Sequence, residues 1–154
     1  MAVTLYLIRH GEAASSWDED PDPGLSDKGH DQARRAAEAL QKIRNPARLL
    51  SSPLQRARET AVPLEKAWGS KAGIIPQIAE IPSRHVAFSE RRTWLNTVMN
   101  GLWTDQEEVL LKWRADILRF LQHQKEDAVL FTHFMVINAV VGAVEGVDNV
   151  LLFR

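Results

Sequence analysis

The feature that most limits what this chain can fold into is its first apolar run. Val3, Thr4, Leu5, Tyr6, Leu7 and Ile8 follow one another without polar alternation and stop abruptly at Arg9-His10-Gly11. A run of this kind reads as a strand buried on both faces, as in a parallel sheet. Parallel strands need long crossovers, and the rest of the chain supplies helical ones. Ser26 can cap a helix with Ala33, Ala36, Ala37 and Leu40 on one face. Residues 47–50 form a second strand, followed by Ser51-Ser52-Pro53, a capping serine with proline at the first helical position. Leu54, Ala57, Ala61 and Leu64 give that helix its buried stripe, and Pro63 should bend or shorten it.

Residues 73–78 are a third apolar piece that ends at Glu80, and residues 82–103 are irregular, a short helical excursion over the sheet. Thr104 and Glu107 have capping-box spacing ahead of the amphipathic stripe Leu110, Trp113, Ile117 and Leu121. Residues 128–132 read as a buried strand, 134–144 as a buried helix and 150–153 as a last strand. No repeat or linker divides the pieces. The expected fold is α/β: a three-layer α/β/α sandwich with a mostly parallel central sheet, in one domain over residues 1–154.

Charge and composition narrow the function. A formal net charge of -1 gives no electrostatic reason to expect nucleic acid or an anionic membrane as partner. Cysteine is absent, which removes disulfides, thiolate catalysis and thiolate metal sites. The apolar start is too short for a signal or a membrane span, so the cytoplasm is the simplest location. The histidines at 10, 30, 85, 123 and 133 show no close metal-ligand pair, so no metal or other cofactor is expected.

In such a sheet ligands gather at the carboxyl ends of the strands. Three of the expected strands end in groups suited to an anion: Arg9-His10-Gly11, the serine-rich helix start carrying Arg56, and Thr132-His133 before a helix. Helix N-termini offer free N–H groups, and arginine a planar fork, to phosphate oxygens. Arg56 and Arg58 point to nearly opposite sides of their helix, and Arg56, nearer its start, is taken to face the pocket. Each group alone reads more readily as a solvated loop, a cap or a core histidine than as a catalytic group.

Four segments in order resemble the histidine phosphatase superfamily, the phosphoglycerate mutase-like family. They are Leu7-Ile8-Arg9-His10-Gly11-Glu12; Gly24-Leu25-Ser26-Asp27-Lys28-Gly29 with Gln32-Ala33; Ser51-Ser52-Pro53-Leu54-Gln55-Arg56 through Ala61; and Phe131-Thr132-His133. The resemblance implies a single histidine phosphatase domain in which His10 is the nucleophile and forms a phosphohistidine. Arg9, Arg56 and His133 would surround the phosphoryl oxygens, Gly11 would let backbone approach the site, and Glu80 would protonate the leaving group. Glu12 and Glu90 are alternatives for that acid. The implied partner is a phosphorylated small molecule or a phosphohistidine protein, handled without a metal.

The chain departs from the family pattern in three places. Phe134 follows the second histidine where the family usually has glycine, and either shapes the pocket or packs in the core. Ser15-Ser16-Trp17 replaces a tryptophan-asparagine pair, with Ser16 as a partial substitute for that phosphate contact. The chain stops at Arg154 where many members add a strand, marking a compact member or a shortened chain. Ser83, Arg84, His85, Arg91, Arg92, Trp94 and Trp103 would roof the site, with the paired arginines suited to an anionic substrate or simply solvated. The rival readings are a mutase, which usually carries larger insertions, a phosphate-binding scaffold, and a metal enzyme.

Overall fold

β4 (Ala128–Thr132) is buried at every residue, and the sheet is built around it. The computed structural model describes residues 2–16 and 19–154. β1 (Leu5–Arg9) lies on one side of β4 and β2 (Arg48–Ser51) on the other, with the two-residue β3 (Gly73–Ile74) outside β2. All three pairings are parallel. Arg9 aligns with Thr132, and Ser51 with Phe131, so three strands finish at one edge. Amides just past the strand ends continue the ladder, His10 to the Thr132 carbonyl (3.1 Å) and Ser52 to the Phe131 carbonyl (2.9 Å).

Alternation along the strands divides the core in two. Tyr6, Ile8, Leu49, Val129 and Phe131 meet Ala37 and Leu40 of α1 (Asp27–Ile43) and Ala57, Ala61 and Leu64 of α2 (Gln55–Trp68). Leu5, Leu7, Leu50, Ala128 and Leu130 meet Ile78 and the end of α4 (Glu108–Gln122). A third cluster joins α3 (Arg91–Met99), α4 and α5 (Phe134–Glu145) through Val98, Leu110, Met135 and Ala139. This is the expected three-layer arrangement. Ser26 caps α1 as expected, accepting the Gly29 amide at 3.0 Å.

Several local readings need correction. β1 packs on both faces, as expected, but it is an edge strand and its side chains are only partly buried, because nothing pairs with its outer edge among the described residues. Residues 150–153 form no strand: Val150 is buried by packing against the third cluster, and the Leu152 and Phe153 amides bond to Asn138 Oδ1. The apolar piece 73–78 pairs over only two residues, since Pro76 opens a 3-10 turn (Pro76–Ile78). Helix α2 starts at Gln55, after Pro53, and runs through Pro63 to Trp68. Its first amide is capped by Asp22 Oδ1 (2.8 Å), while Ser52 Oγ accepts the Leu54 amide. The Thr104–Glu107 capping box is not made: Thr104 bonds to Asp148, and Glu107 bonds to His85 and Trp94.

Candidate active site

The parallel register delivers His10, Arg56 and His133 to one point. His10 follows β1 and is half-buried; its Nδ1 lies 2.6 Å from the Gly11 carbonyl oxygen. A carbonyl can only accept, so Nδ1 carries the proton and Nε2 keeps its lone pair. Arg56, on the first turn of α2, donates from Nε to that Nε2 at 3.1 Å. His133 is fully buried, and its ring stands 5.2 Å from the His10 ring, tilted by 60°. Its Nε2 lies 2.7 Å from Ser52 Oγ. The serine already accepts the Leu54 amide, so its own hydrogen is free to go to His133, placing the imidazole proton on Nδ1.

Two buried nitrogens in this cluster have no hydrogen-bond partner: Arg56 Nη1 and His133 Nδ1. Buried donors are normally satisfied, and two left open beside a histidine with a free ring nitrogen suit an anion. Burial pushes His10 down from the ordinary 6.5 to about 4, helped by Arg56 and Arg9 and opposed by the Gly11 carbonyl. Burial, then Arg56 and His10, hold His133 far below the same value. Both rings are therefore neutral at neutral pH.

Glu80 sits across the cluster. Its Oε2 accepts the Met135 amide at the start of α5 (3.4 Å), and its Oε1 accepts the Ile81 amide (3.0 Å). Burial raises its pKa above the ordinary carboxylate range, against the pull of those amides, Arg56 and Arg9. Arg9 is exposed, with its guanidinium 4.8 Å from the centre of the Phe134 ring. Gly11 lies where backbones cross, and a Cβ there would run into the Gly29 carbonyl.

The model of the histidine phosphatase superfamily (branch 1) matches residues 5–154. The chain belongs to the histidine phosphatase superfamily. It is 40% identical over 80 residues to a glucosyl-3-phosphoglycerate phosphatase of Mycolicibacterium vanbaalenii, a match covering 49% of this chain and 35% of that protein. The chain thus matches about a third of that relative's length. Among solved structures it resembles a phosphoglycerate mutase from Thermus thermophilus, with 28% identity and a TM-score of 0.63 over 96% of this chain and 87% of that one. A mycobacterial glucosyl-3-phosphoglycerate phosphatase solved with VO3 shares the fold: TM-score 0.71, 24% identity, 97% of this chain and 85% of that one.

With the superfamily as frame, the structure gathers Arg9, His10, Gly11, Arg56, Glu80 and His133 into one cluster. Ser16 is not tied to it. Its carbonyl accepts the Glu19 and Asp20 amides, and no described hydrogen bond links its hydroxyl to the cluster. Trp17 and Asp18, next along that loop, lie outside the described residues. Glu12 is exposed and accepts the Ser26 hydroxyl, and Glu90 is exposed at a 3-10 turn, so neither rivals Glu80 by position. The roof also differs from expectation. Trp103 is a core residue, 1% exposed, and Arg91 is used locally, bonding to the Val86 carbonyl and covering the Phe88 ring.

Three supporting residues are given no individual role in the sequence reading of the site. Thr60 Oγ1 donates to the Arg56 carbonyl (2.7 Å) and accepts the Gly11 amide (3.0 Å), joining α2 to the histidine turn. Its spacing of four from Arg56 places it on the same helix face, a signal that was available. Ser52 reads as a cap but also backs His133. Asp22 has no local signal, because its bond to Gln55 depends on how the loop closes. Among the described residues no three His, Cys, Asp or Glu side chains are placed to hold a metal ion, and no helix is long and apolar enough to cross a membrane.

Proposed function

We propose that this protein is a phosphomonoesterase that passes the phosphoryl group through His10 Nε2. The observation that carries the proposal is the pairing of a free Nε2, fixed by the Gly11 carbonyl, with two open buried donors, Arg56 Nη1 and His133 Nδ1. An incoming phosphate takes over Arg56, which now rests on Nε2. Arg56, His133 and Arg9 then spread their hydrogen bonds and charge over the equatorial oxygens, where phosphoryl transfer needs stabilisation.

The lone pair of Nε2 forms the N–P bond as the P–O bond to the leaving group breaks. Glu80, whose raised pKa favours the protonated form, gives its proton to the departing oxygen. Glu80 then takes a proton from water as that water attacks phosphorus. The N–P bond breaks, inorganic phosphate leaves, and His10 returns to its starting tautomer. No step calls on a metal.

The substrate class is a phosphorylated small molecule. The glucosyl-3-phosphoglycerate phosphatase among the relatives makes a sugar-linked phosphate ester a natural first choice, and a phosphohistidine protein is the alternative. The likeness to the Thermus mutase keeps phosphoryl transfer between two positions of phosphoglycerate as a second reading. To separate the two, phosphoglycerate is incubated with the protein and free phosphate is followed beside isomer formation. Hydrolysis predicts stoichiometric phosphate release that persists in excess chelator. Isomer without phosphate would overturn it in favour of the mutase.

A further inference from the structure

The chemistry above leaves Phe134 without a part, yet its position is closely determined. It opens α5 next to His133 and packs at the edge of the third core cluster. Its ring meets that of Phe153 edge-on, with centroids 6.1 Å apart and planes at 84°. Phe153 is held in turn by its amide, which donates to Asn138 Oδ1 at 3.2 Å. On the face of the Phe134 ring lies the Arg9 guanidinium, 4.8 Å from the centroid. Among the described residues no hydrogen bond or ion pair holds that guanidinium.

We propose that Phe134 is a positioning residue whose ring, braced by Phe153, holds the Arg9 guanidinium beside His10 ready for an incoming phosphate. The proposal rests on the phosphatase reading of the site. An exposed arginine has many rotamers, and fixing one when phosphate binds costs entropy. A cation over a ring face meets part of that cost beforehand. The guanidinium occupies one face of the ring, and through that face Phe134 acts on Arg9 rather than on the leaving group.

The test is a double-mutant cycle read in two ways: binding of inorganic phosphate by calorimetry, and KM and kcat for p-nitrophenyl phosphate. Phe134→Leu keeps the apolar bulk and removes the ring face. It should weaken phosphate binding and raise KM by about two- to fivefold, the size of a partly exposed cation–π contact, with kcat less affected. Phe134→Tyr should restore both values. In an Arg9→Ala background, Phe134→Leu should have no further effect. Equal loss in both backgrounds, or tyrosine no better than leucine, would overturn the proposal. If Phe134→Leu fails to fold, Phe153→Leu takes its place and should shift KM the same way; an unchanged KM would count against the brace. Phosphate binding needs no turnover, so the coupling is read even if the esterase reading fails; undiminished turnover by His10→Ala would sink that reading alone.

Discussion

In the proposed mechanism His10 is the nucleophile, and three influences of different kinds suit it to that role. The Gly11 carbonyl fixes the tautomer, burial keeps the ring neutral, and Arg56 and Arg9 add a field that resists protonation. Glu80 is shifted the other way, its pKa raised by burial against the pull of two amides, Arg56 and Arg9. Two groups pushed apart in this manner predict a bell-shaped dependence of kcat/KM on pH. Activity should fall below about pH 4 as His10 gains a proton, and should fall again above the ordinary carboxylate range as Glu80 loses one. Glu80→Gln should abolish the alkaline limb and slow an alkyl phosphate much more than p-nitrophenyl phosphate, whose leaving group needs little protonation. Equal slowing of both esters would remove Glu80 as the acid. At this scale much of the cluster was legible in the sequence, because strand ends and helix starts are local features. Glu80's place against the start of α5 and the Arg9–Phe134 contact were not, since both arise only when β1, α5 and the segment after Ile78 come together.

Between elements, the site depends on places where backbones nearly touch. Gly11 and Gly29 face each other: a Cβ on the first would meet the Gly29 carbonyl, and one on the second the Glu12 backbone. Glu12 and Ser26 are joined there by the Ser26 amide, so α1 starts against the histidine turn. Gly29→Ala should therefore push α1 away from that turn. The expected loss is about 1–3 kcal/mol of stability, the usual cost of overpacking, measured by urea unfolding. An unchanged midpoint would mean that α1 can shift freely. The helices themselves were readable from their apolar stripes. Their caps were read less well, since α2 is capped by Asp22 from another segment and Glu107 is drawn off by His85 and Trp94. The last apolar residues read as a strand because burial and strand pairing leave the same trace in a short apolar run.

For the whole molecule, the site has a stability cost that depends on pH. The folded state holds His10 and His133 below their unfolded value of 6.5, so the unfolded chain binds more protons as acidity rises. Their contribution is complete above about pH 6.5 and is lost as pH falls towards the folded values. Glu80 works in the opposite sense, favouring the fold at low pH and less as pH rises through its raised value. Glu59 and Asp127, both held low, matter only at lower pH, near and below the ordinary carboxylate values of 4.5 and 3.8. Tm followed from pH 6.5 down to 4.5 should accordingly fall less in His10→Gln than in the natural chain. An identical slope would mean that His10 is not held neutral by the fold.

The central claim is the bond between phosphorus and His10. The direct measurement is rapid mixing with a labelled phosphomonoester, quenching in base, and mass spectrometry of the peptide that carries His10. The account predicts one phosphoryl group on that peptide, labile in acid and stable in base, lost with turnover in His10→Ala. Full turnover with no label on His10, or with the label on another side chain, would contradict it.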